Sequence, residues 1–245
     1  MKRILLALLL LLPISASAQF NGCSAGFCSP VSSGGLPGPP VLTFVTAGAA
    51  SASSNTATWT NLSIGTASGF TTRRVIVAFN SVSGIGASSL TGVTIAGITA
   101  TVHISTFNNG WEAVASADVP TGTTATIVAT FGSSIFSTPV ACSYSVDDAL
   151  LVSTTPTTGS GTGSATTSIA TSSFSTSSGG FVIGSGTISV AETGLAITGY
   201  TTNAFGGTAK NLCSSLTSGV TTGSTTATMS WTGSTNGGVV AAAWR

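Results

Sequence analysis

Between residues 41 and 245, no run of ten or more residues places apolar side chains at a helical spacing. Short runs rich in Val, Ile, Thr and aromatic residues recur instead, separated by Gly, Ser and Asn. In "VACSYSV", Val140, Cys142, Tyr144 and Val146 point one way and Ala141, Ser143 and Ser145 the other, as in a half-exposed strand. "RVIVAF", residues 74–79, is apolar on both faces and belongs at the centre of a sheet. "FNNGW", residues 107–111, sets an Asn-Gly turn between two strands. Strands are expected at 41–45, 56–64, 74–80, 92–95, 99–105, 111–117, 124–131, 140–146, 165–170, 180–189, 195–200, 209–212, 225–231 and 239–244. The fold expected is all-β, an antiparallel two-sheet β-sandwich of jelly-roll type.

The strand region echoes itself. "TGTTATIVATF" (Thr121–Phe131) returns as "TGSTTATMSW" (Thr222–Trp231), "VACSYSV" as "VVAAAWR" (Val239–Arg245), and "RRVIVAF" as "GGFVIGS" (Gly179–Ser185). Each offset is close to 100 residues, which makes a pseudo-repeat of 41–150 and 160–245. The copies either form two small sandwiches in tandem or interleave in one. The single interleaved sandwich over 41–245 is the expectation, with Ser153–Ser164 as a linker or long loop.

Before this region stands a leader. A basic start, Met1 to Arg3, precedes an apolar run, Ile4–Leu12, and small residues at Ala16 and Ala18. That is a secretory signal peptide cut after Ala18, too short for a permanent span, and no later stretch is long and apolar enough for a membrane helix. Secretion is the location this implies. Residues 19–40 hold a pair of cysteines and a Pro/Gly-rich linker that cannot form a helix. In an oxidising compartment Cys23 and Cys28 read as a local disulfide closing a small knob. Phe20 and Phe27 beside it have little local core and suit docking into a partner. Cys142 and Cys213 either pair across the fold or sit separately as small buried residues, and two buried thiols are the expectation.

Composition narrows the functions. Only 4% of residues are charged, while Ser plus Thr number 81 of 245. After the leader, four positive residues (Arg73, Arg74, Lys210, Arg245) face five negative ones (Glu112, Asp118, Asp147, Asp148, Glu192). No basic patch is available to neutralise phosphates, so nucleic-acid binding is not expected. The many Val, Ile, Phe and Trp residues argue against disorder.

Two motifs carry a resemblance. "FNGCSAGFC" after a leader resembles a short tag on proteins of phages and prophages of α-proteobacteria. "TGVTIAGITATV" followed by "VPTGTTATIVATF" resembles β-sandwich segments of phage virion and tail-associated proteins. The resemblance implies a virion-surface or host-contact protein, with virion proteins as partners.

No reaction is expected. His103, in "TATVHISTF", is the only histidine and reads as a strand residue rather than a catalytic base. Glu112 and Glu192 are the only glutamates, and their spacing gives no reason for them to face each other as a glycosidase pair. Asp147 and Asp148 read as a solvated turn rather than a Ca²⁺ site. No metal or cofactor is expected. Binding of a neutral partner such as a glycan or another cell-surface component is the function considered first. Trp111, beside the Asn-Gly turn, and Trp59 are the candidates for a stacking platform, whereas Trp231 and Trp244 read as core. The second is a structural or adhesive subunit that associates, with copies of itself included, through poorly charged strand edges.

Overall fold

The computed structural model describes residues 38–67, 72–82, 90–108, 110–135, 138–206 and 210–245. The leader, the Cys23–Cys28 knob with Phe20 and Phe27, and most of the linker lie outside the described residues. Residues 37–245 form one compact unit.

Strand is the dominant element of the described residues, joined throughout by antiparallel pairing, as the sequence predicts. The first half contributes β1 (Thr43–Ala49), β2 (Ser51–Ser53), β3 (Thr56–Ser63), β4 (Arg73–Val82), β5 (Leu90–Ile95), β6 (Ile98–Thr99), β7 (Thr101–Phe107), β8 (Gly110–Asp118), β9 (Thr124–Phe131) and β10 (Val140–Asp147). After a 3₁₀ turn at Asp148–Leu150, the second half contributes β11 (Thr157–Ala170), β12 (Phe174–Thr176), β13 (Phe181–Ile188), β14 (Ala196–Ile197), β15 (Thr201–Gly206), β16 (Asn211–Leu216), β17 (Gly223–Thr225) and β18 (Thr228–Trp244).

Among the described residues no sheet mixes strands of the two halves. The first half builds a main sheet, β1-β10-β4-β8-β7, and a covering sheet, β2-β3-β9-β5-β6. The second builds a main sheet, β11-β18-β13-β16-β15, with β14 and the β12-β17 pair beside it. Counted in chain order within each half, both main sheets follow the path first, fifth, second, fourth, third. The pseudo-repeat is therefore a repeat of topology, and the halves stand in tandem rather than interleaving as expected.

Burial on both faces of the main sheets explains the layers. In β4, Val75, Val77 and Phe79 join the core under the covering sheet, while Ile76 and Ala78 face the other half. In β13, Val182 and Ile188 face the second half's own core, while Phe181 and Ile183 meet the first half. The two main sheets thus lie face to face. β10 has the alternation read from the sequence but not the exposure. Ala141, Ser143 and Ser145 are buried too, and Ser143 Oγ donates to Ser63 O at 2.6 Å.

Local chemistry sets the irregularities. In β3, Trp59 and Leu62 both point inward although three positions apart. The register shifts between them, and Asn61 takes φ 54°, a left-handed conformation that Asn tolerates better than most residues. The Ser153–Ser164 stretch is not a linker: from Thr157 it is strand. The β11–β18 ribbon shifts register between Gly163 and Ser168 and folds back on itself, so that Ser172 N donates to Ser160 O at 2.8 Å. Here glycine is required. A Cβ on Gly161 would lie 2.0 Å from Ala170 O, and one on Gly159 2.5 Å from Ser172 O.

Candidate functional site

The chemistry of the chain is concentrated in the seam between the two main sheets. Strand alternation brings Arg74, Ile76, Ala78 and Asn80 of β4 to this face, and Phe181, Ile183, Ser185 and Thr187 of β13 opposite them. Arg74 and Asn80 are six residues apart, so the seam has two polar ends roughly 20 Å apart.

At one end Arg74 is buried and fully engaged. Its Nη2 lies 2.7 Å from Asp118 Oδ1, its Nε lies 2.5 Å from Asp148 Oδ1, and its Nη1 donates to Ser116 Oγ at 3.1 Å. Ser116 Oγ also lies 2.7 Å from His103 Nε2. Having accepted from Arg74, the hydroxyl is placed to donate to the imidazole. Burial, and then the Arg74 charge, hold His103 down at about 4, so the ring is neutral at neutral pH. The ring also meets Trp244 edge-on at 5.5 Å. A serine, a histidine and an aspartate thus come near one another, but an arginine stands between them and Ser116 is 1% exposed. The group fastens β4, β7, β8 and the turn after β10. Asp148, expected in a solvated turn, is an ion-pair partner, while Asp147 caps the 3₁₀ turn by accepting from Ala149 N at 3.1 Å.

The middle of the seam is apolar and cross-linked. Cys142 of β10 and Cys213 of β16 form a disulfide, with a Cα–Cα distance of 6.3 Å and a sequence separation of 71. This corrects the expectation of two separate thiols: strands from different halves bring both sulfurs to the same face. Closing a loop of that length contributes about 4 kcal/mol on a chain-entropy argument. Nearby, Tyr144 Oη donates to Asn203 Oδ1 at 3.0 Å, and burial pushes the phenol well up from its ordinary value.

At the other end are Asn80, Glu112, Ser185 and Thr187. Asn80 Nδ2 donates to Ser185 Oγ and to Leu212 O, each at 3.0 Å, and Ser185 Oγ donates to Phe79 O at 2.8 Å. Asn108 Nδ2 reaches across to Gly163 O at 2.9 Å and Gly237 O at 3.2 Å. Glu112 is completely buried and accepts from Thr187 Oγ1. Glu192 lies instead in the second half beside Gly233, so the two glutamates do not form a pair.

The tryptophans proposed as a stacking platform are in the core. Trp111 is 2% exposed and Trp59 1%. Trp111 meets Phe131 edge-on at 4.7 Å and Phe79 at 5.7 Å, and Trp59 Nε1 donates to Gly48 O at 3.0 Å. Proximity to the Asn-Gly turn suggested exposure of Trp111, but the covering sheet closes over it. Trp231 and Trp244 are core as expected. A groove the sequence reading missed, of about 290 Å³, lies on the second half beside Tyr200, Leu216 and Val220, rimmed by Thr198, Thr225 and Thr226. Partial burial pushes the Tyr200 phenol up to about 12. Among the described residues no cluster of three or more His, Cys, Asp or Glu is placed to hold a metal ion, and no helix is long and apolar enough to cross a membrane. Comparisons with protein-family models, curated proteins and solved structures find no match.

Proposed function

We propose that this chain is a non-enzymatic, exported structural module displayed on a cell or particle surface. The observation that carries the reading is the Cys142–Cys213 disulfide, which joins the halves at the centre of their seam and belongs to an oxidising compartment. Two further features support it: the buried Arg74, the half-buried Asp148 and the buried carboxyl of Glu112 are engaged in holding strands together, and the leader reads as an export signal. The resemblance of "FNGCSAGFC" to a phage and prophage tag makes a tail-associated or virion-surface setting the first form of the proposal. A secreted, self-associating bacterial adhesin is the other form. The knob at Cys23 and Cys28, with Phe20 and Phe27, serves docking in either.

Fractionation of the native host tests this. The expected result is a chain beginning at Gln19, oxidised, and recovered with particles or the cell surface. A reduced chain that keeps Met1 and stays in the cytoplasm would overturn it. The Tyr200 groove favours a second reading, weak binding of a neutral glycan. Its aromatic and apolar wall and hydroxyl rim, with no charge among the lining residues, are suited to such a ligand. A glycan array with wild type and Tyr200→Ala tests it, and equal signals from the two proteins would count against this groove.

A further inference from the structure

Matching the two halves at the Asn80–Ser185 contact, with their seam faces aligned, lets the registers pair up specific positions of the halves. Asn80 and Ser185 occupy matching places on β4 and β13 and touch each other across the seam. Asn80 pairs with Glu112 on β8, and Ser185 pairs with Cys213 on β16. Glu112 therefore stands in the first half where Cys213 stands in the second. Cys213 crosses the seam as a disulfide, and Glu112 crosses it to Thr187.

The hydrogen-bond inventory at Glu112 is incomplete in an informative way. Oε1 accepts from Thr187, but Oε2 has no partner. Neither has Oδ1 of Asn80, the cross-strand neighbour whose Nδ2 is committed to Ser185 and Leu212. Cross-strand pairs bring side chains within reach. Two buried acceptors on directly paired residues each lack a donor, and a proton on Oε2 would supply one. An ionised carboxylate would leave a charge and two lone acceptors in a dry site. Gly238 closes the space from β18, where a Cβ would lie 2.5 Å from Oε2.

We infer that Glu112 is carried as a neutral carboxylic acid, donating from Oε2 towards Asn80 and accepting from Thr187, which makes the seam a latch that holds in mild acid and loosens in alkali. The elements packed against it bring Asn80, Ser185, Thr187, Asn211 and the disulfide-bonded Cys213, none of which titrates near neutrality, and Thr106 is its partner on β7. Lys210 precedes Asn211, and strand alternation turns it from the face that carries Asn211 and Cys213. Burial pushes the Glu112 carboxyl up to about 8, against the opposing pull of the Thr187 hydrogen bonds.

The sign of the pH dependence follows. An unfolded glutamate ionises near 4.5, so between there and about 8 only the native state holds this proton, and stability falls as pH rises. His103 acts oppositely. Its folded value of about 4 against 6.5 means that the unfolded state binds the extra proton in that window, so stability rises with pH there. The two slopes offset each other from about 4.5 to 6.5, and above 6.5 the His103 contribution fades while that of Glu112 persists to about 8.

Urea unfolding of the oxidised full-length protein between pH 6.5 and 8 is the test. In wild type the unfolding constant should rise by about fourfold per pH unit, because the Glu112 slope falls off as pH nears 8 and the unfolded His103 still opposes it near 6.5. Glu112→Gln, which keeps a donor and an acceptor without a titrating proton, should lose this rise over the same window and keep only the small opposite slope of His103. A wild type whose unfolding constant does not rise with pH, or the same rise in Glu112→Gln, overturns the inference. Infrared spectroscopy of glutamate-labelled wild type at about pH 6.5 gives a second readout. A protonated carboxyl band that persists in Glu192→Gln supports the assignment, and two ionised glutamates contradict it.

Discussion

The two halves solve one layout by different means. In the first half the main and covering sheets are separate strands: β1 gives way to β2 and β3, and β9 stops before β10 begins. In the second half single strands serve both layers. The near arm of β11 pairs with the far arm of β18 in the main sheet, and beyond the register shift the same two strands pair again over the core, with β14 beside them. The first half fills its core with the aromatic row Trp59, Phe79, Trp111 and Phe131. The second removes side chains at Gly159, Gly161 and Gly163 so that a ribbon can fold onto itself. A layer gap can be filled by large rings or closed by bringing backbones together, and the same strand path tolerates either.

Substitutions can separate the two strategies. The largest effect is expected in the aromatic row. Trp111→Ala should cost about 4 kcal/mol, because a buried indole leaves a cavity that the surrounding sheets cannot collapse into. Chemical denaturation measures this, and a loss under about 1 kcal/mol would show that the row is not what fills the first half. A smaller loss, about 2–3 kcal/mol, is expected from Gly161→Ala, which drives a methyl into the Ala170 carbonyl. The corresponding change in the first half, at exposed Gly97, meets nothing within 4 Å but has φ 78°, so its cost should be only about 1 kcal/mol, from backbone strain. Equal costs at the two glycines would erase the distinction drawn between the halves.

Much of this was legible in the sequence, for physical reasons. The double-faced apolar run of β4 can only sit between two cores, and the roughly 100-residue echo reflects a real repeat of strand path. Its alignment was off by one in places. Matching Arg73 to Gly179 equates Val75 with Phe181, which face different cores, whereas matching at the Asn80–Ser185 contact equates Ile76 with Phe181, both on the seam. A one-residue slip exchanges every face of a strand. The Gly/Ser/Thr start of β11 looked like a linker because its small residues give no apolar alternation; its strand character comes from pairing with β18. The tail of β18 looked like two strands for a similar reason, since the polar bend at 232–236 interrupts the apolar pattern. The seam itself was hidden. Burial of Trp111, the Cys142–Cys213 pair and the position of Glu112 all depend on how layers from distant segments stack, which no local pattern encodes.

The two halves are fastened across a common seam. A peptide map of the unreduced, thiol-blocked protein tests this most directly. The prediction is one cross-linked species joining the peptides that contain Cys142 and Cys213, present in near-stoichiometric amount and lost on reduction. Blocked thiols at both positions, or either cysteine linked to Cys23 or Cys28 instead, would contradict the apposition of β10 and β16 on which the seam depends.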